Sequence, residues 1–215
     1  MKKVLNPGFS LVLPLIFINI GMFMLQLALG EGFTLSLLLK RGDLFTMPWT
    51  LVTSMFLHGG ASHLFFNMYA LLIFGPILEQ RIGQIRFITL YFATGIFAAI
   101  ISQFIYTSAL GASGAIMGII GMVIMLMPNL RVLFFFIIPM PLWVAGIVMA
   151  ALDIFGVFGF GIAGIANLAH LAGLGAGLLA GAALRNEKQK FDRKFSSKSE
   201  LDDQDIEEYL KSGRI

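Results

Sequence analysis

Long apolar segments constrain this chain more than any other feature, because a membrane-crossing helix needs about 20 predominantly apolar residues. Six such segments predict spans at 9–29, 62–78, 86–106, 113–127, 132–151 and 166–184. Composition agrees: 58% of the residues are hydrophobic and 13% are charged, whereas a soluble domain is about half apolar and about a quarter charged. The sequence therefore predicts an all-α, polytopic membrane protein built as a six-helix bundle.

Basic residues indicate how the chain is oriented. With the N-terminus inside, cytoplasmic segments carry 13 of the 15 lysines and arginines, and only Lys40 and Arg41 lie outside. Cytoplasmic loops are enriched in positive charge, so we expect both termini in the cytoplasm of a cell membrane. We expect a membrane domain over 1–184, with its first span retained rather than cleaved as a signal peptide, because its apolar run exceeds the usual ~7–15 residues.

The remaining segments divide into loops and a tail. Residues 185–215 carry eight basic and eight acidic residues and predict a polar cytoplasmic tail. The net charge of +3 thus comes from the membrane domain. We interpret this charge as a determinant of membrane orientation, and we expect no nucleic-acid partner. Residues 30–61 predict a structured loop lying partly in the outer interface. The glycine- and phenylalanine-rich stretch 153–164 predicts either a mobile lid or a simple connector.

Four of the polar side chains within the predicted spans stand out, because unpaired polar groups are costly there. His63 and Asn67 are four residues apart, so a helix places them on one face. Ser113 begins span four and His170 lies near the start of span six. In the predicted topology spans two, four and six all begin at the outer surface, so all four residues share the outer half of the bilayer. Each alone is compatible with interhelical hydrogen bonding.

Glycines at steps of four predict how two of these residues meet. Small residues at this spacing let helices approach closely. The two series are Gly173, Gly177 and Gly181 in span six, and Gly114 and Gly118 in span four. If these faces pack together, Ser113 and His170 can touch.

These residue types match the parts of an acyl-transfer site. A serine needs a base to take its proton, and histidine is the usual base. Helix N-terminal N–H groups beside Ser113, with His63 and Asn67, can donate to an oxyanion. The sequence predicts a Ser113–His170 dyad, because Glu31, Asp43 and Asp153 are placed in loops and Glu79 at the opposite end.

The same sequence argues against a metal centre or a cofactor. The chain contains no cysteine and three histidines. His58 and His63 are five residues apart, which is a poor match to a helix face, and no acidic residue is predicted beside them. We therefore predict no metal site and no cofactor.

Three motifs carry a resemblance to a known family. "GASG" at 111–114, "HLFFN" at 63–67 and "AHLAGLGAG" at 169–177 resemble those of the rhomboid family of intramembrane serine proteases, over roughly residues 45–184. The resemblance implies that the protein hydrolyses peptide bonds in single-pass transmembrane proteins. It also implies a core of six helices that is surrounded by membrane lipids. It implies Ser113 as nucleophile, His170 as base, and His63 and Asn67 on the oxyanion side. It also implies substrate entry past span five, which favours the lid at 153–164.

Two positions depart from the family pattern. Trp49-Thr50 stands where a Trp-Arg pair is common, and Met117 stands where an aromatic residue often packs on the histidine. A thioether can still pack against an imidazole, so we expect weaker orientation of His170 rather than loss of activity. Met117→Tyr is then expected to leave substrate cleavage equal or higher, and a large loss of cleavage would contradict this.

Two alternatives stay open from the sequence. A catalytically inactive rhomboid-like protein that binds membrane helices would keep the fold but lack the serine or the base, and both are present. A transporter or channel would be expected to carry inverted repeats and broken helices in matching halves, and neither is visible.

Overall fold

The computed structural model describes residues 10–134, 137–160, 166–196 and 204, and within them the chain is mostly helical. In chain order the elements are α1 (Val12–Leu29), α2 (Glu31–Leu37), β1 (Leu39–Lys40), α3 (Asp43–Thr46), α4 (Thr50–Thr53), a 3₁₀ turn (Ser54–Phe56), α5 (Ala61–Ile82), α6 (Gln84–Ile105), β2 (Ser108–Ala109), α7 (Ser113–Leu126), β3 (Arg131–Phe134), β4 (Ile138–Pro141), α8 (Leu142–Val157) and α9 (Asn167–Ser196).

Four helices in the described part of the chain are long and apolar enough to cross a membrane. They are α1, α5, α6 and the Asn167–Glu187 portion of α9. Helices α7 and α8 are apolar but shorter, at 14 and 16 residues. At 1.5 Å per residue, α7 is about 21 Å long, which is less than the ~30 Å hydrocarbon core. The protein is therefore a multi-pass membrane protein in which α7 is unusually short.

The predicted span at 132–151 is wrong. A hairpin replaces its first part: β3 pairs antiparallel with β4, with Arg131 opposite Pro141, and α8 begins only at Leu142. Pro139 and Pro141 explain the difference, because proline lacks the N–H of the helical ladder and disfavours helix at the preceding residue. The helix then continues to Val157, so residues 153–157 of the predicted lid are helical. Residues 158–160 follow as a turn, and 161–165 lie outside the described residues.

Helix α7 is the centre of the bundle. Every residue from Gly114 to Val123 is buried. A side chain added at Gly173 would collide with the carbonyl oxygen of Gly114, and one added at Gly177 with that of Gly118. The two contacts advance together along both helices, so α7 and α9 run parallel with their backbones touching. The predicted packing of these glycine-bearing helices is confirmed.

The glycines of α7 also allow close packing against a second helix. A Cβ at Gly114 would lie 2.6 Å from the Cβ of Ala98, and one at Gly118 would collide with Thr94. Both partners belong to α6, which therefore runs antiparallel to α7. Helix α7 is packed closely on two sides because these residues carry no side chain.

The segment between α1 and α5 is structured, as predicted. β1 pairs with β2. Asp43 is buried and accepts a hydrogen bond from the Lys40 N–H at 2.8 Å, while the Leu44 N–H donates to Gln103 Oε1 at 3.1 Å. These bonds fix the segment to the end of α6, next to the start of α7.

The last helix extends beyond the predicted end of span six. Helix α9 continues past residue 184 to Ser196. It is therefore helical through the first twelve residues of the segment predicted as a tail. Residues 197–203 and 205–215 lie outside the described residues.

Candidate active site

Ser113 is the first residue of α7, and a turn that requires glycine places it there. Gly111 has φ +120°, and its N–H donates to the Ser54 carbonyl oxygen at 2.9 Å. A Cβ at Gly111 would lie 2.8 Å from Cε1 of His63, so both the backbone conformation and the space require glycine. The helical ladder of α7 starts with the Ile116 N–H bonded to the Ala112 carbonyl oxygen. The N–H groups of the first turn therefore precede the ladder, at the positive end of the helix dipole.

The structure brings Ser113 and His170 together, as the glycine spacing predicts. His170 Nε2 lies 2.8 Å from Ser113 Oγ. Both residues occupy the first turns of parallel helices whose backbones touch, so the distance follows from packing. With its proton on Nδ1, the ring accepts the hydrogen bond from the serine hydroxyl.

Asp153 completes a chain of three polar residues. Its Oδ1 lies 3.0 Å from His170 Nδ1, on the far side of the ring from Ser113. The side chain of Asp153 is 10% exposed and that of His170 is 21% exposed. The sequence predicts a loop at Asp153, and this is wrong, because the residue lies within α8. It also predicts a dyad with no acid nearby, whereas Asp153 lies beside His170. Helix α8 runs to Val157, past the predicted end of the span at residue 151, and so carries Asp153 to His170.

His63 and Asn67 lie together beside Gly111, two residues before Ser113. A Cβ built on Gly111 would be 2.9 Å from His63 Nε2 and 3.8 Å from Asn67 Nδ2. The Gly59 N–H donates to His63 Nδ1 at 3.4 Å, which leaves the ring proton on Nε2. Asn67 Nδ2 is buried without a hydrogen-bond partner among the described residues. Two donors are thus available next to the turn that carries the serine.

His58 is a third histidine near this group. It lies in the loop before α5 and is 2% exposed, with its ring packed edge-on against His63 at a centroid distance of 5.1 Å. Burial, with a further contribution from His63, lowers the pKa of His58 to about 4. It is therefore neutral at neutral pH. Within the described ranges, no group of three or more His, Cys, Asp or Glu residues could hold a metal ion.

A cavity opens beside Ser113 between α6, α7 and the start of α9. Its lining is mostly small, with polar atoms supplied by serines: Ser54, Ser102 and Ser113 together with Gly95, Ala98, Ala99, Gly111, Gly114, Ala115, Ala166 and Ala169. Such a cavity has room for a small group next to the serine hydroxyl.

Comparison with known proteins agrees with these motifs. A model of the rhomboid domain matches residues 46–187. Rhomboid protein 1, mitochondrial, from Saccharomyces cerevisiae is 34% identical over 146 residues, covering 63% of this chain and 42% of the yeast protein. Rhomboid protease GluP from Bacillus subtilis is 36% identical over 138 residues, covering 63% of this chain and 26% of GluP.

A plant relative gives the same result over a shorter range. RHOMBOID-like protein 6, mitochondrial, from Arabidopsis thaliana is 41% identical over 75 residues, covering 34% of this chain and 24% of the plant protein. The matches thus span less than half the length of each of these three relatives. Since the domain model covers well over half of the present sequence, and the motifs at Ser113, His63 and His170 lie inside it, the chain belongs to the rhomboid family.

Proposed function

We propose that this protein is an intramembrane serine endopeptidase that cleaves single-pass transmembrane proteins, with Ser113 as nucleophile and His170 as base. The observation that carries the proposal is the 2.8 Å separation between Ser113 Oγ and His170 Nε2. A serine and a histidine in this contact are what acyl transfer needs to generate a nucleophile. Membership of the rhomboid family, in which relatives are named as proteases, supports the same reaction class.

The proposed reaction proceeds in two steps. In the first, Ser113 Oγ bonds to the scissile carbonyl carbon while its proton passes to His170 Nε2. The tetrahedral intermediate then collapses, the C–N bond breaks, and the leaving amine takes that proton. In the second step a water oxygen bonds to the ester carbon and gives a proton to His170 Nε2. The bond between that carbon and Ser113 Oγ then breaks, Oγ takes the proton from Nε2, and the carboxylic acid product leaves.

Negative charge on the carbonyl oxygen needs donors that are already in position. We propose that Asn67 Nδ2, His63 Nε2 and the Ser113 backbone N–H form this oxyanion hole. Two observations support this role: the buried Asn67 amide has no partner within the described residues, and the Gly59 contact leaves the His63 proton on Nε2.

The proposed topology has six spans over residues 1–184, a cytoplasmic N-terminus and a cytoplasmic tail at 185–215. The site then opens to the extracytoplasmic side of a cell membrane. Basic residues support this orientation through the positive-inside rule. Helix packing is compatible with it: α7 and α9 run parallel, and α6 runs opposite to them.

Cleavage of a model single-pass substrate in proteoliposomes tests the proposal. Wild type is expected to produce one pair of fragments, and Ser113→Ala and His170→Ala are expected to produce none. A serine-directed fluorophosphonate should label wild type and leave Ser113→Ala unlabelled. Ser102→Ala is a matched control, because its hydroxyl lines the same cavity but bonds to the Ala98 carbonyl oxygen.

The outcomes separate the candidates. Labelling and cleavage that depend on Ser113 support the protease. A wild type that binds transmembrane segments but neither cleaves nor reacts with the probe would instead indicate an inactive rhomboid-like binding protein. Equal cleavage by all variants would overturn the proposed mechanism.

A further inference from the structure

Asp153 is a buried acid that the proposed dyad does not use. We propose that Asp153 is a positioning residue that fixes the tautomer and orientation of His170. The dyad then belongs to a chain of three hydrogen-bonded residues. The inference rests on the proposed function, because it assigns a role relative to the base of that reaction.

Geometry leaves the ring of His170 with one arrangement. Asp153 Oδ1 is 3.0 Å from Nδ1, and Ser113 Oγ is 2.8 Å from Nε2. An ionised carboxylate only accepts hydrogen bonds, so it holds the ring proton on Nδ1. Nε2 is then unprotonated and able to take the proton of Ser113. Without the carboxylate, the ring can carry its proton on Nε2, where it blocks proton transfer, or rotate away from the serine.

Helix packing gives Asp153 a fixed place. Gly156 lies one turn after Asp153 on α8, and a Cβ there would lie 2.5 Å from Cγ of Asn167. Asn167 lies one turn before His170 on α9. The pairs Asp153–His170 and Gly156–Asn167 are thus two successive contacts of antiparallel helices. The carboxylate is held by this packing rather than by a loop.

The negative charge of a buried Asp153 is energetically costly, which argues against a purely structural role. An acid within a membrane protein is expensive unless it is paired, and such residues are functional by default. Among the described residues, neither a lysine nor an arginine lies within 4.0 Å of the Asp153 carboxylate, whereas His170 Nδ1 does. The partner of this acid is therefore the ring that carries positive charge during the reaction.

The proton balance of the proposed reaction stays unchanged. When Nε2 takes the serine proton, His170 becomes an imidazolium with one proton on each nitrogen. The Asp153 carboxylate keeps its negative charge and stabilises that cation without taking the Nδ1 proton. The proton on Nε2 then leaves with the amine product.

Three substitutions at this position separate a positioning role from a structural one. Asp153→Asn is isosteric but can present an N–H to Nδ1, whereas Asp153→Glu is larger but keeps the carboxylate. We expect Asp153→Asn and Asp153→Ala to lower kcat by at least about 10-fold with KM within about twofold of wild type. We expect Asp153→Glu to keep more activity than Asp153→Asn. A structural role predicts the opposite order, because only the larger residue disturbs packing.

Glu79→Gln is the matched control. Glu79 is also a buried acid, but it bonds to the Leu11 N–H and Ser10 between α1 and α5, away from Ser113. The kcat of the Glu79→Gln variant is expected to match that of wild type. Each variant is measured on the same transmembrane substrate in proteoliposomes, after correction for folded protein by size-exclusion profile.

The positioning role and the proposed function fail in different ways. If wild type cleaves and Ser113→Ala does not, but Asp153→Asn retains wild-type kcat, only the positioning role is overturned. An Asp153→Glu variant that is less active than Asp153→Asn also overturns it. If wild type neither cleaves the substrate nor reacts with a fluorophosphonate, the proposed function itself fails.

Discussion

At the scale of single residues, the site depends on buried polar side chains and on a glycine. His58 places an uncharged ring against His63, and Asn67 leaves a buried donor beside Gly111. Gly111 allows both the turn before Ser113 and the close approach of the His63 ring. Changes at these positions should act locally, either on ionisation or on a single contact.

His58 is expected to make the folded state sensitive to acid. The unfolded chain binds a proton at His58 below about pH 6.5, but in the folded protein the pKa is lowered to about 4. Between these values the unfolded state binds more protons than the folded state. The free energy of unfolding therefore loses nothing to His58 above about pH 6.5, and it falls as the pH drops towards about 4. Thermal unfolding in detergent micelles should therefore show a lower midpoint for wild type at acidic pH than at neutral pH.

His58→Gln is the control for that measurement. The backbone of residue 58 bonds to Gln26 through its N–H and its carbonyl oxygen, and both bonds survive the substitution. The variant should lose less stability between neutral and acidic pH than wild type does. Identical pH dependence in the two proteins would show that this ring does not contribute.

Gly111→Ala is expected to damage the turn before the serine. A non-glycine residue in the left-handed region costs roughly 1–2 kcal/mol, and the added Cβ would lie 2.8 Å from Cε1 of His63. Both the thermal midpoint and the rate of substrate cleavage should fall. Gly60→Ala is the control, since it lies in the same region with extended backbone and open space around it. Equal effects of the two substitutions would contradict this account.

At the scale of secondary-structure elements, the contact between α7 and α9 sets the geometry of the site. Ser113 and His170 are held at hydrogen-bond distance because Gly173 and Gly177 let the two backbones touch further along the helices. Van der Waals packing of small residues is one of the forces that associate helices in membranes, where no hydrophobic driving force operates between helices. Widening this contact should therefore affect stability and catalysis together.

Gly177→Ala tests that contact at a distance from the reacting atoms. The added methyl would collide with the Gly118 carbonyl oxygen, which is backbone and cannot rotate away. We expect a loss of about 1–3 kcal/mol in stability, the usual cost of overpacking, measured as a lower thermal midpoint in micelles. Gly175→Ala, on the same helix but facing open space, should leave the midpoint near that of wild type. A tolerated Gly177→Ala would mean that α9 can move without cost.

At the scale of the whole molecule, the exposed surface fits a lipid environment. Large apolar side chains are exposed along the helices, with examples in Phe17, Leu27, Phe66, Phe104 and Leu179. In water such a surface would aggregate, but hydrocarbon chains solvate it as well as a protein core does. The charged end of α9 lies at the opposite end of the bundle from Ser113, because α7 and α9 run parallel.

The absence of cysteine allows the proposed topology to be tested directly. Thr46 lies before α5, and Asn186 lies in the C-terminal half of α9, just after the predicted span; both are exposed. A membrane-impermeant maleimide should label Thr46→Cys in intact bacterial cells. It should label Asn186→Cys only after the membrane is permeabilised. Labelling of both, or the reverse pattern, would contradict a site that opens to the outside with a cytoplasmic tail.

The sequence by itself determined the features that follow from local periodicity. Apolar run length predicts α1, α5, α6 and α9, because a spanning helix must match the bilayer. Glycines four residues apart predict the α7–α9 contact, since that step returns to the same helix face. The family resemblance, which the domain comparison bears out, adds roles for Ser113 and His170 that stay predictions until activity is measured.

Only the tertiary structure decided which residues meet across elements. Asp153 reaches His170 because α8 continues to Val157, beyond the predicted span, and because the packing of α8 against α9 sets the register. Likewise, Gly114 and Gly118 turn out to face α6 as well as α9. A helical period fixes which residues share a face of one helix, but it carries no information about the register between two helices. That register is set by packing. The sequence therefore could not pair Asp153 with His170, and a span predicted to end at residue 151 had already left this acid in a loop.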